Sequence, residues 1–289
     1  MEIAVDLQES IGKADVLIEA LKYIKQFYGK TIVIKYGGHA MIDKNLKEKV
    51  ILDIVLMKYV GMNPVVIHGG GPEITEVMDK MGKKSQFVKG LRVTDEETME
   101  IVEMVLGRIN KGLVALINEH GAKAVGLSGK DAGLISAKKC KSDVELGFVG
   151  DVSEIDPTII NVLDREGFIP VISSIGTCDG DTYNINADLV AGEIASALKA
   201  EKLIMLTDVR GIMRDQKDES TLISTIKATE IEKLSEEGII SGGMLPKVEA
   251  CVVALCGGVK KTHIIDGRIS HSILLEIFTD SGIGTQIIA

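Results

Sequence analysis

Two stretches decide the fold of this chain: residues 31–38, Thr-Ile-Val-Ile-Lys-Tyr-Gly-Gly, and residues 64–72, Pro-Val-Val-Ile-His-Gly-Gly-Gly-Pro. Each is a short apolar run, typical of a buried strand, that ends at a cluster of glycines. A third cluster, Gly242-Gly243, precedes a predicted helix. Ligands of open α/β sheets bind beyond the carboxyl ends of strands, where glycine lets backbone N–H groups surround an anion. Each cluster alone is equally well explained as a tight turn, but the three together predict a polyphosphate site.

Apolar runs and helical periods alternate along the rest of the chain. We predict strands at 31–35, 64–68, 123–127, 168–173, 202–207, 262–266 and 285–288, with hairpin-like strands within 134–152. We predict helices near 44–60, 72–81, 95–119, 156–166, 187–199, 229–237, 244–256 and 271–278. This alternation predicts an α/β fold, a three-layer αβα sandwich around a mainly parallel open sheet.

An extra amphipathic helix is predicted over residues 15–28, before the first strand, with Gly29 as its natural stop. Because this helix lies outside the alternating pattern, its apolar stripe has to be buried somewhere else. We therefore divide the chain into an N-terminal helix (1–29), an N-terminal lobe (30–175) and a C-terminal lobe (176–289), the last beginning with a loop at 176–186. No linker marks this join, so one sheet could run through both lobes.

Composition excludes several classes of partner. The 289 residues include 33 Lys+Arg and 42 Asp+Glu, a net charge of −9, which argues against nucleic acid or anionic membrane as a partner. The four cysteines form no CxxC pair and are expected to be reduced thiols. The N-terminus has no leader pattern, and no uncharged apolar run approaches the ~18 residues of a membrane span, so we expect a cytoplasmic protein.

Two common nucleotide motifs are not present. A Walker A loop ending at Gly29-Lys30-Thr31 would need glycine where the chain has Ile24, and a dinucleotide fingerprint at Gly69 would need glycine in place of Ile74. The five histidines form neither a metal-spaced cluster nor a serine–histidine–acid set, so the sequence gives no signal for zinc or hydrolytic chemistry.

Several charged and amide side chains flank the glycine clusters. Lys35 ends a strand and Lys247 begins a helix, where each could neutralise a transferring phosphoryl group, although either alone could be an ordinary surface lysine. Asp188 falls in the first turn of a predicted helix, where it could support the helix or orient both lysines. Asn184, in the predicted loop ahead of that helix, could bind substrate. Arg92 has the planar fork that suits a small carboxylate.

Six motifs stand in order from about residue 30 to the C-terminus, and together they resemble the amino acid kinase family, in particular its branch that acts on N-acetyl-L-glutamate. They are Lys35-Tyr-Gly-Gly-His-Ala-Met, His68-Gly-Gly-Gly-Pro, Gly90-Leu-Arg-Val-Thr, Tyr183-Asn-Ile-Asn-Ala-Asp, Leu206-Thr-Asp-Val and Ser241-Gly-Gly-Met-Leu-Pro-Lys. The resemblance implies a three-layer α/β sandwich with the acyl acceptor in the N-terminal lobe and ATP in the C-terminal lobe.

The resemblance also implies an activity: ATP-dependent phosphorylation of the side-chain carboxylate of N-acetyl-L-glutamate, the second step of arginine biosynthesis. It implies that Lys35 and Lys247 stabilise the transition state and that Asp188 organises them. The expected acceptor-binding residues are Gly70, Gly71, Arg92 and Asn184, and the expected nucleotide-binding residues are Gly37, Gly38, Thr207, Asp208, Gly242 and Gly243. Mg²⁺ is expected to be held chiefly by ATP oxygens, with no protein ligand.

The predicted N-terminal helix has a counterpart in family members that are hexamers, built as trimers of dimers, and that are inhibited by L-arginine. In this chain the resemblance implies an effector site at Tyr23, Lys202, His263, Glu276 and Gly282. A helix that packs only on its own subunit is the alternative. One departure from the family pattern is His39, where a small polar residue such as Asn or Ser is usual. This larger side chain could change the shape of the first glycine loop.

Two other functions compete with this prediction. A sibling kinase could act on glutamate, aspartate or carbamate, although the Gly90-Leu-Arg-Val-Thr motif argues against it. A non-catalytic sensor could bind arginine or nucleotide on the same fold, although it would have no need of Lys35 and Lys247 together with Asp188.

Overall fold

The computed structural model describes residues 7–38, 41 and 43–289. His39, the departure from the family pattern, lies outside the described residues. The strands are β1 (Thr31–Tyr36), β2 (Asn63–His68), β3 (Phe87–Val88), β4 (Leu91–Arg92), β5 (Ala124–Leu127), β6 (Ile135–Lys139), β7 (Val149–Ile155), β8 (Ile169–Ser173), β9 (Ile175–Cys178), β10 (Asp181–Ile185), β11 (Lys202–Thr207), β12 (Thr225–Lys227), β13 (Lys261–Asp266) and β14 (Thr285–Ile288).

The α-helices of the described residues follow the predicted pattern closely. They are α1 (Leu7–Phe27), α2 (Lys44–Tyr59), α3 (Gly71–Lys80), α4 (Glu96–Glu119), α5 (Thr158–Arg165), α6 (Ala187–Ala197), α7 (Ile231–Glu236), α8 (Leu245–Cys256) and α9 (Ser272–Ile277). No helix among these residues is long and apolar enough to cross a membrane.

Eight strands form the central sheet in the order β12-β14-β13-β11-β1-β2-β8-β5. Among the described strands of this sheet the one antiparallel pair is β13–β14, so β14 and its parallel neighbour β12 run opposite to the other six strands, and the predicted mainly parallel sheet is confirmed. Strand β1 lies in the middle, where Lys35 pairs with Ile67 of β2 on one side and with Met205 of β11 on the other. One sheet therefore continues through both predicted lobes, and the carboxyl ends of β1, β2 and β11 meet at one edge.

Helices cover both faces of this sheet. Ile32 and Ile34 of β1 contact an apolar core that includes residues of α2 and α4, whereas Val33 contacts a second core that includes residues of α6 and α8. Successive side chains of a strand point to opposite faces, so an all-apolar strand requires a core on each side. The three-layer architecture is the result.

The predicted loop at 176–186 is wrong. Residues in this segment form a hairpin of β9 and β10, turned by Asp179 and Gly180 with φ angles of 51° and 91°. An Asp-Gly pair between two short strands is a strong hairpin signal, which the loop prediction overlooked. Strands β6, β7, β9 and β10 pair in a closed ring beside the main sheet. Asn184 therefore belongs to a strand rather than to a flexible loop.

Helix α1 begins at Leu7, eight residues before the predicted start. Its last turn packs on the body of the chain, where Tyr23 and Phe27 are buried and the ring of Tyr23 meets Phe278 edge-on at 6.1 Å. Most of its remaining apolar side chains are exposed, namely Leu7, Ile11, Val16, Leu17, Ile18 and Leu21. Within the single chain the apolar stripe is thus left largely uncovered.

Candidate active site

Two lysines meet one buried carboxylate at the carboxyl edge of the sheet. Lys35 Nζ lies 2.9 Å from Asp188 Oδ1, and Lys247 Nζ lies 2.7 Å from Asp188 Oδ2. Lys35 comes from the end of β1, Asp188 from the first turn of α6 and Lys247 from the first turn of α8. Three segments far apart in sequence are thereby held together by charge.

Helix capping does not explain why an aspartate occupies position 188. The side chain of Asn186 caps α6, because its Oδ1 accepts the N–H of Asp188 at 2.8 Å. Burial by itself would raise the pKa of the Asp188 carboxyl, but the charges of Lys35 and Lys247 outweigh burial and hold this pKa below its ordinary value. The carboxylate is therefore ionised at neutral pH, and the cluster keeps one positive charge in excess.

Close approaches explain why glycine occupies the loops around this cluster. A Cβ at Gly37 would lie 2.6 Å from Lys35 Nζ, and a Cβ at Gly38, whose φ is +71°, would lie 2.5 Å from Asp208 Oδ1. At Gly70 a Cβ would lie 2.6 Å from Ile109 Cδ1 of helix α4. The first glycine loop is thus packed against charged groups, and the second against α4.

A cavity of about 260 Å³ opens over these loops. It brings together most of the predicted catalytic and acceptor-binding residues, and its lining includes Lys35, Gly37, Gly38, Gly70, Gly71, Arg92, Asn184 and Asp188. The first turn of α3 contributes backbone N–H groups that have no acceptor within the helix. Such a surface suits a small anionic molecule.

Arg92 is buried in the wall of this cavity, 6% exposed, and burial lowers the pKa of its guanidinium. Its Nη2 donates at 2.8 Å to both the carbonyl of Gly71 and the hydroxyl of Thr75, and the group lies 4.7 Å from the ring centre of Phe87. Arg92 therefore also supports the second glycine loop, a role that the sequence did not predict.

Asn184 reaches the same cavity from β10. Its Nδ2 donates to the Thr94 hydroxyl at 3.3 Å, and that hydroxyl donates to the carbonyl of Arg92 at 2.8 Å. This chain of hydrogen bonds joins β10 to the segment that carries Arg92.

A second cavity, of about 300 Å³, adjoins the cluster on the other side. Thr207, Asp208, Gly243 and Lys247 line it, together with the apolar side chains of Val209, Ile212, Met213 and Ile239. A lining that combines these polar groups with apolar side chains suits a nucleotide. The Thr207 hydroxyl is engaged by the backbone, donating to Val209 O at 2.8 Å. Gly242, with a φ of +54°, stands in sequence between Ser241 and Gly243, which line this cavity, but is not itself part of the lining.

A third cavity, of about 340 Å³, is lined by all five predicted effector residues. Lys202 Nζ lies 3.1 Å from His263 Nε2, and His263 Nδ1 lies 2.6 Å from Glu276 Oε1. Burial lowers the pKa of His263, so this neutral ring joins the ammonium group to the carboxylate. Gly282 is required here, because a Cβ with its φ of +62° would lie 2.7 Å from Glu276 Oε1.

Sequence reasoning missed Asp280 at the rim of this third cavity. Its Oδ1 accepts the hydroxyl of Tyr23 at 2.8 Å, and its Oδ2 lies 2.9 Å from Lys22 Nζ. With Glu276 it gives the cavity two carboxylates, which suit a cationic ligand. Nothing in the local sequence distinguishes Asp280 from other surface acids.

Comparison with known proteins identifies the family of this chain. The model of the amino acid kinase family matches residues 30–266. The chain belongs to the amino acid kinase family. As a member of this family it is a kinase. The acetylglutamate kinase of Pelotomaculum thermopropionicum is 61% identical over 287 residues, covering 95% of this chain and 97% of that protein. The acetylglutamate kinase of Desulforamulus reducens is 60% identical, covering 96% of this chain and 98% of that protein.

Several solved structures show the same fold. N-acetylglutamate synthase from Neisseria gonorrhoeae, complexed with coenzyme A and N-acetyl-glutamate, superposes with a TM-score of 0.84 at 28% identity, covering 96% of this chain. This chain spans 63% of the length of that synthase. The same enzyme complexed with coenzyme A and L-arginine gives 0.83 at 27% identity, with 95% and 65% of the two chains covered. Carbamate kinase from Giardia lamblia shares the fold alone, with a TM-score of 0.64 at 19% identity over 90% of this chain and 98% of that one.

Proposed function

We propose that this chain transfers the γ-phosphoryl group of ATP to the side-chain carboxylate of N-acetyl-L-glutamate, the second step of arginine biosynthesis, in the cytoplasm. The observation that carries the proposal is the position of Asp188, which holds Lys35 at the first cavity and Lys247 at the second. A phosphoryl group passing from one cavity to the other would meet both ammonium groups. Relatives about 60% identical over nearly their whole length are named acetylglutamate kinase, which supports this substrate.

The reaction requires the protein only to position the two substrates and to stabilise negative charge. The attacking carboxylate is ionised at neutral pH and needs no general base. In the loose transition state negative charge spreads over the transferring oxygens, where Lys35 and Lys247 would stabilise it. Asp188 would keep the two lysines apart and correctly aimed.

Mg²⁺ would enter this site bound to the phosphate oxygens of ATP. The described residues contain no group of three or more side chains suited to a metal, whereas ATP offers several phosphate oxygens. When bound, Mg²⁺ would neutralise part of the phosphate charge. Lys35 and Lys247 would supply the remaining positive charge from the protein.

The two cavities divide the substrates between the lobes. The first would take the acceptor, with Arg92 on its α-carboxylate and Asn184, Gly70 and Gly71 around the rest. The second would take ATP, and its transferring phosphoryl group would reach Gly37 and Gly38, because these two glycines line the first cavity beside Lys35. The division is not strict, because Asn184 reaches the acceptor cavity from the C-terminal lobe (176–289).

We further propose that L-arginine inhibits the enzyme by binding in the third cavity, and that α1 joins dimers into a hexamer. Glu276 and Asp280 there would attract the guanidinium and ammonium groups of arginine. The uncovered apolar stripe of α1 supports the assembly, because exposed apolar surface of this extent is typical of interfaces. A ring closed by symmetry would leave none of these stripes free.

A coupled assay of ADP release tests the proposal. We expect turnover with N-acetyl-L-glutamate at least tenfold more efficient than with L-glutamate, L-aspartate or carbamate, because each lacks a group that a fitted site would bind. Binding of ATP or arginine without any turnover would instead identify a sensor. Light scattering of the same sample, with and without L-arginine, gives the oligomer mass and the inhibition together.

A further inference from the structure

A buried histidine lies directly behind the second glycine loop. His68 is the last residue of β2 and has no exposed surface. Its Nδ1 lies 3.0 Å from the carbonyl oxygen of Gly69, and its Nε2 lies 3.1 Å from Nδ2 of Asn110, which is itself buried on helix α4. His68 does not line the cavity, whereas Gly69 does.

Backbone carbonyls determine which nitrogen of His68 carries the proton. Asn110 Nδ2 lies 2.9 Å from the carbonyl oxygen of Val171 and 3.3 Å from that of Leu127. Because a carbonyl only accepts, the side chain of Asn110 must present its NH₂ group on this side, and the same group faces His68 Nε2. An NH₂ group offers no acceptor to a protonated Nε2, and Nδ1 faces the carbonyl oxygen of Gly69, which can only accept, so Nδ1 carries the proton and donates it to Gly69.

This hydrogen bond sets the direction of a cavity N–H group. The carbonyl of Gly69 and the N–H of Gly70 belong to one planar trans peptide, in which they point in opposite directions. Since the carbonyl is held toward the buried imidazole, the N–H of Gly70 is turned away from the core. Gly70 lines the same cavity as Lys35 and Arg92.

Two further observations support a structural role for His68 and Asn110. Gly126 approaches Asn110 so closely that a Cβ at this position would lie 1.9 Å from Asn110 Oδ1. Burial lowers the pKa of His68 to about 4, although the hydrogen bond that His68 donates to the Gly69 carbonyl acts to raise it, so the ring stays neutral at working pH. A neutral buried imidazole that does not line the cavity is unsuited to acid–base catalysis but suited to holding backbone.

We propose that His68 is a positioning residue, which Asn110 holds in the Nδ1–H tautomer and which aims the N–H of Gly70 at the anionic acceptor or its transferring phosphoryl group. The proposal deepens the kinase function proposed above and rests on it. It predicts that the donor at the Nδ1 position matters more than the contact at the Nε2 position.

Two amide substitutions of His68 distinguish the contact at the Nδ1 position from the contact at the Nε2 position. His68→Asn keeps an NH₂ donor near the Nδ1 position, whereas His68→Gln places its amide near the Nε2 position and leaves Gly69 without a donor. We expect H68N to stay within about threefold of the parent in kcat/KM for N-acetyl-L-glutamate, and H68Q and H68F to lose about tenfold or more, with KM for ATP nearly constant. H68Q matching or exceeding H68N would overturn the proposal. His120→Gln, at the far end of α4, is the control for loss of a histidine.

Solid-state ¹⁵N NMR of the histidine-labelled parent protein tests the tautomer without any substitution, so it holds even if the variants fail to fold. The imidazole of His68 should show protonated Nδ1 and unprotonated Nε2, unchanged between pH 6 and 8. The opposite tautomer would refute the positioning role. An inactive parent protein with the expected tautomer would refute the kinase proposal alone.

Discussion

Lys247 Nζ lies 2.7 Å from Asp188 Oδ2 although 59 positions separate the two residues in sequence. Asp188 is 5% exposed, and the same carboxylate holds Lys35 on its other oxygen. A buried carboxylate destabilises the fold unless it is paired, and even when paired, as Asp188 is with two lysines, it adds little net stability because all the charges lose their contact with water. The arrangement is better explained by the positions it gives to two ammonium groups than by the energy of the ion pairs.

Removing either lysine is therefore expected to affect turnover more than binding. In Lys35→Ala and Lys247→Ala we expect kcat to fall roughly a hundred- to a thousandfold, because a charge contact formed in the transition state is worth ~3–4 kcal/mol. KM for N-acetyl-L-glutamate should change much less. Initial-rate kinetics with both substrates varied provide the measurement.

The control for these variants is Lys58→Ala. Lys58 lies 2.9 Å from Asp164 in a similarly enclosed ion pair, and neither residue lines the active-site cavities. Its loss should lower stability slightly and leave kcat unchanged. A near-normal kcat in Lys35→Ala or Lys247→Ala would remove that lysine from the mechanism.

Asp188→Asn is expected to lower both kcat and stability. Two neighbouring ammonium groups would lose their shared counter-charge, and breaking such a pair costs about 3 kcal/mol. The folded-state pKa of Asp188 lies below its ordinary value of 3.8, so its contribution is fully present above about pH 4 and is lost as pH falls through the folded-state pKa. The difference between parent and variant in the free energy of unfolding, measured with urea, should be constant from pH 8 to 5 and should disappear below pH 4.

Asn186→Ala provides the comparison for this prediction. Loss of the helix cap should cost about 1 kcal/mol at every pH. If Asp188→Asn showed the same pH-independent loss, the carboxylate would be no more than a helix-terminal residue.

Much of this site was predicted from sequence, because strand, glycine and charge follow one another directly in the chain. Lys35 before Gly37-Gly38 is such a case. The structure brings all three into the lining of the first cavity, whereas the two glycines were predicted to bind the nucleotide and are not part of the second cavity's lining. Asn110 could not be found in this way, since an asparagine within a long apolar helix has the same local pattern as any half-buried polar residue. Its partners, Val171 and His68, become neighbours only when the sheet is assembled.

The error at residues 176–186 has a similar origin. The Asp179-Gly180 pair is a local hairpin signal, but the strands on either side of it are only four and five residues long. β9 pairs with β10, and β10 also pairs with β7, from an earlier part of the chain. Short strands that depend on distant partners give only a weak local signal.

Arg92 is expected to set acceptor affinity. Arg92→Lys keeps the charge but loses the fork that holds Gly71 and Thr75, so KM for N-acetyl-L-glutamate should rise about tenfold or more while KM for ATP stays nearly constant. Thr75→Val removes one acceptor of the guanidinium without changing its charge and should give a smaller rise. An equal rise in KM for both substrates would mean that Arg92 contacts the nucleotide or has only a structural role.

Glu276 is expected to control inhibition rather than catalysis. It lines the third cavity, and its Oε2 accepts the N–H of Ile283 at 2.8 Å. Glu276→Gln keeps the shape but removes the charge, so the L-arginine concentration for half inhibition should rise about tenfold, with kcat unchanged. Glu201→Gln, which loses an ion pair with Lys260 outside the cavity, should leave inhibition as it is. Unchanged inhibition in Glu276→Gln would mean that arginine acts elsewhere.

The final prediction separates the two roles proposed for helix α1. Its exposed apolar stripe ends at Leu21, whereas Tyr23 and Phe27 bind the body of the chain and line the third cavity. Deleting residues 1–21 removes the stripe and keeps these contacts, while deleting residues 1–25 removes Tyr23 as well. We expect both truncated proteins to run as active dimers by light scattering.

Their response to L-arginine should differ. The shorter deletion keeps the cavity, so arginine should still bind by calorimetry, but inhibition should weaken because no ring remains whose geometry arginine could select. The longer deletion should lose both binding and inhibition. Leu17→Glu, in the full-length chain, should reproduce the shorter deletion, since a charge within the stripe opposes its burial. If either truncated protein ran as a hexamer with unchanged inhibition, α1 would neither join the subunits nor transmit the arginine signal.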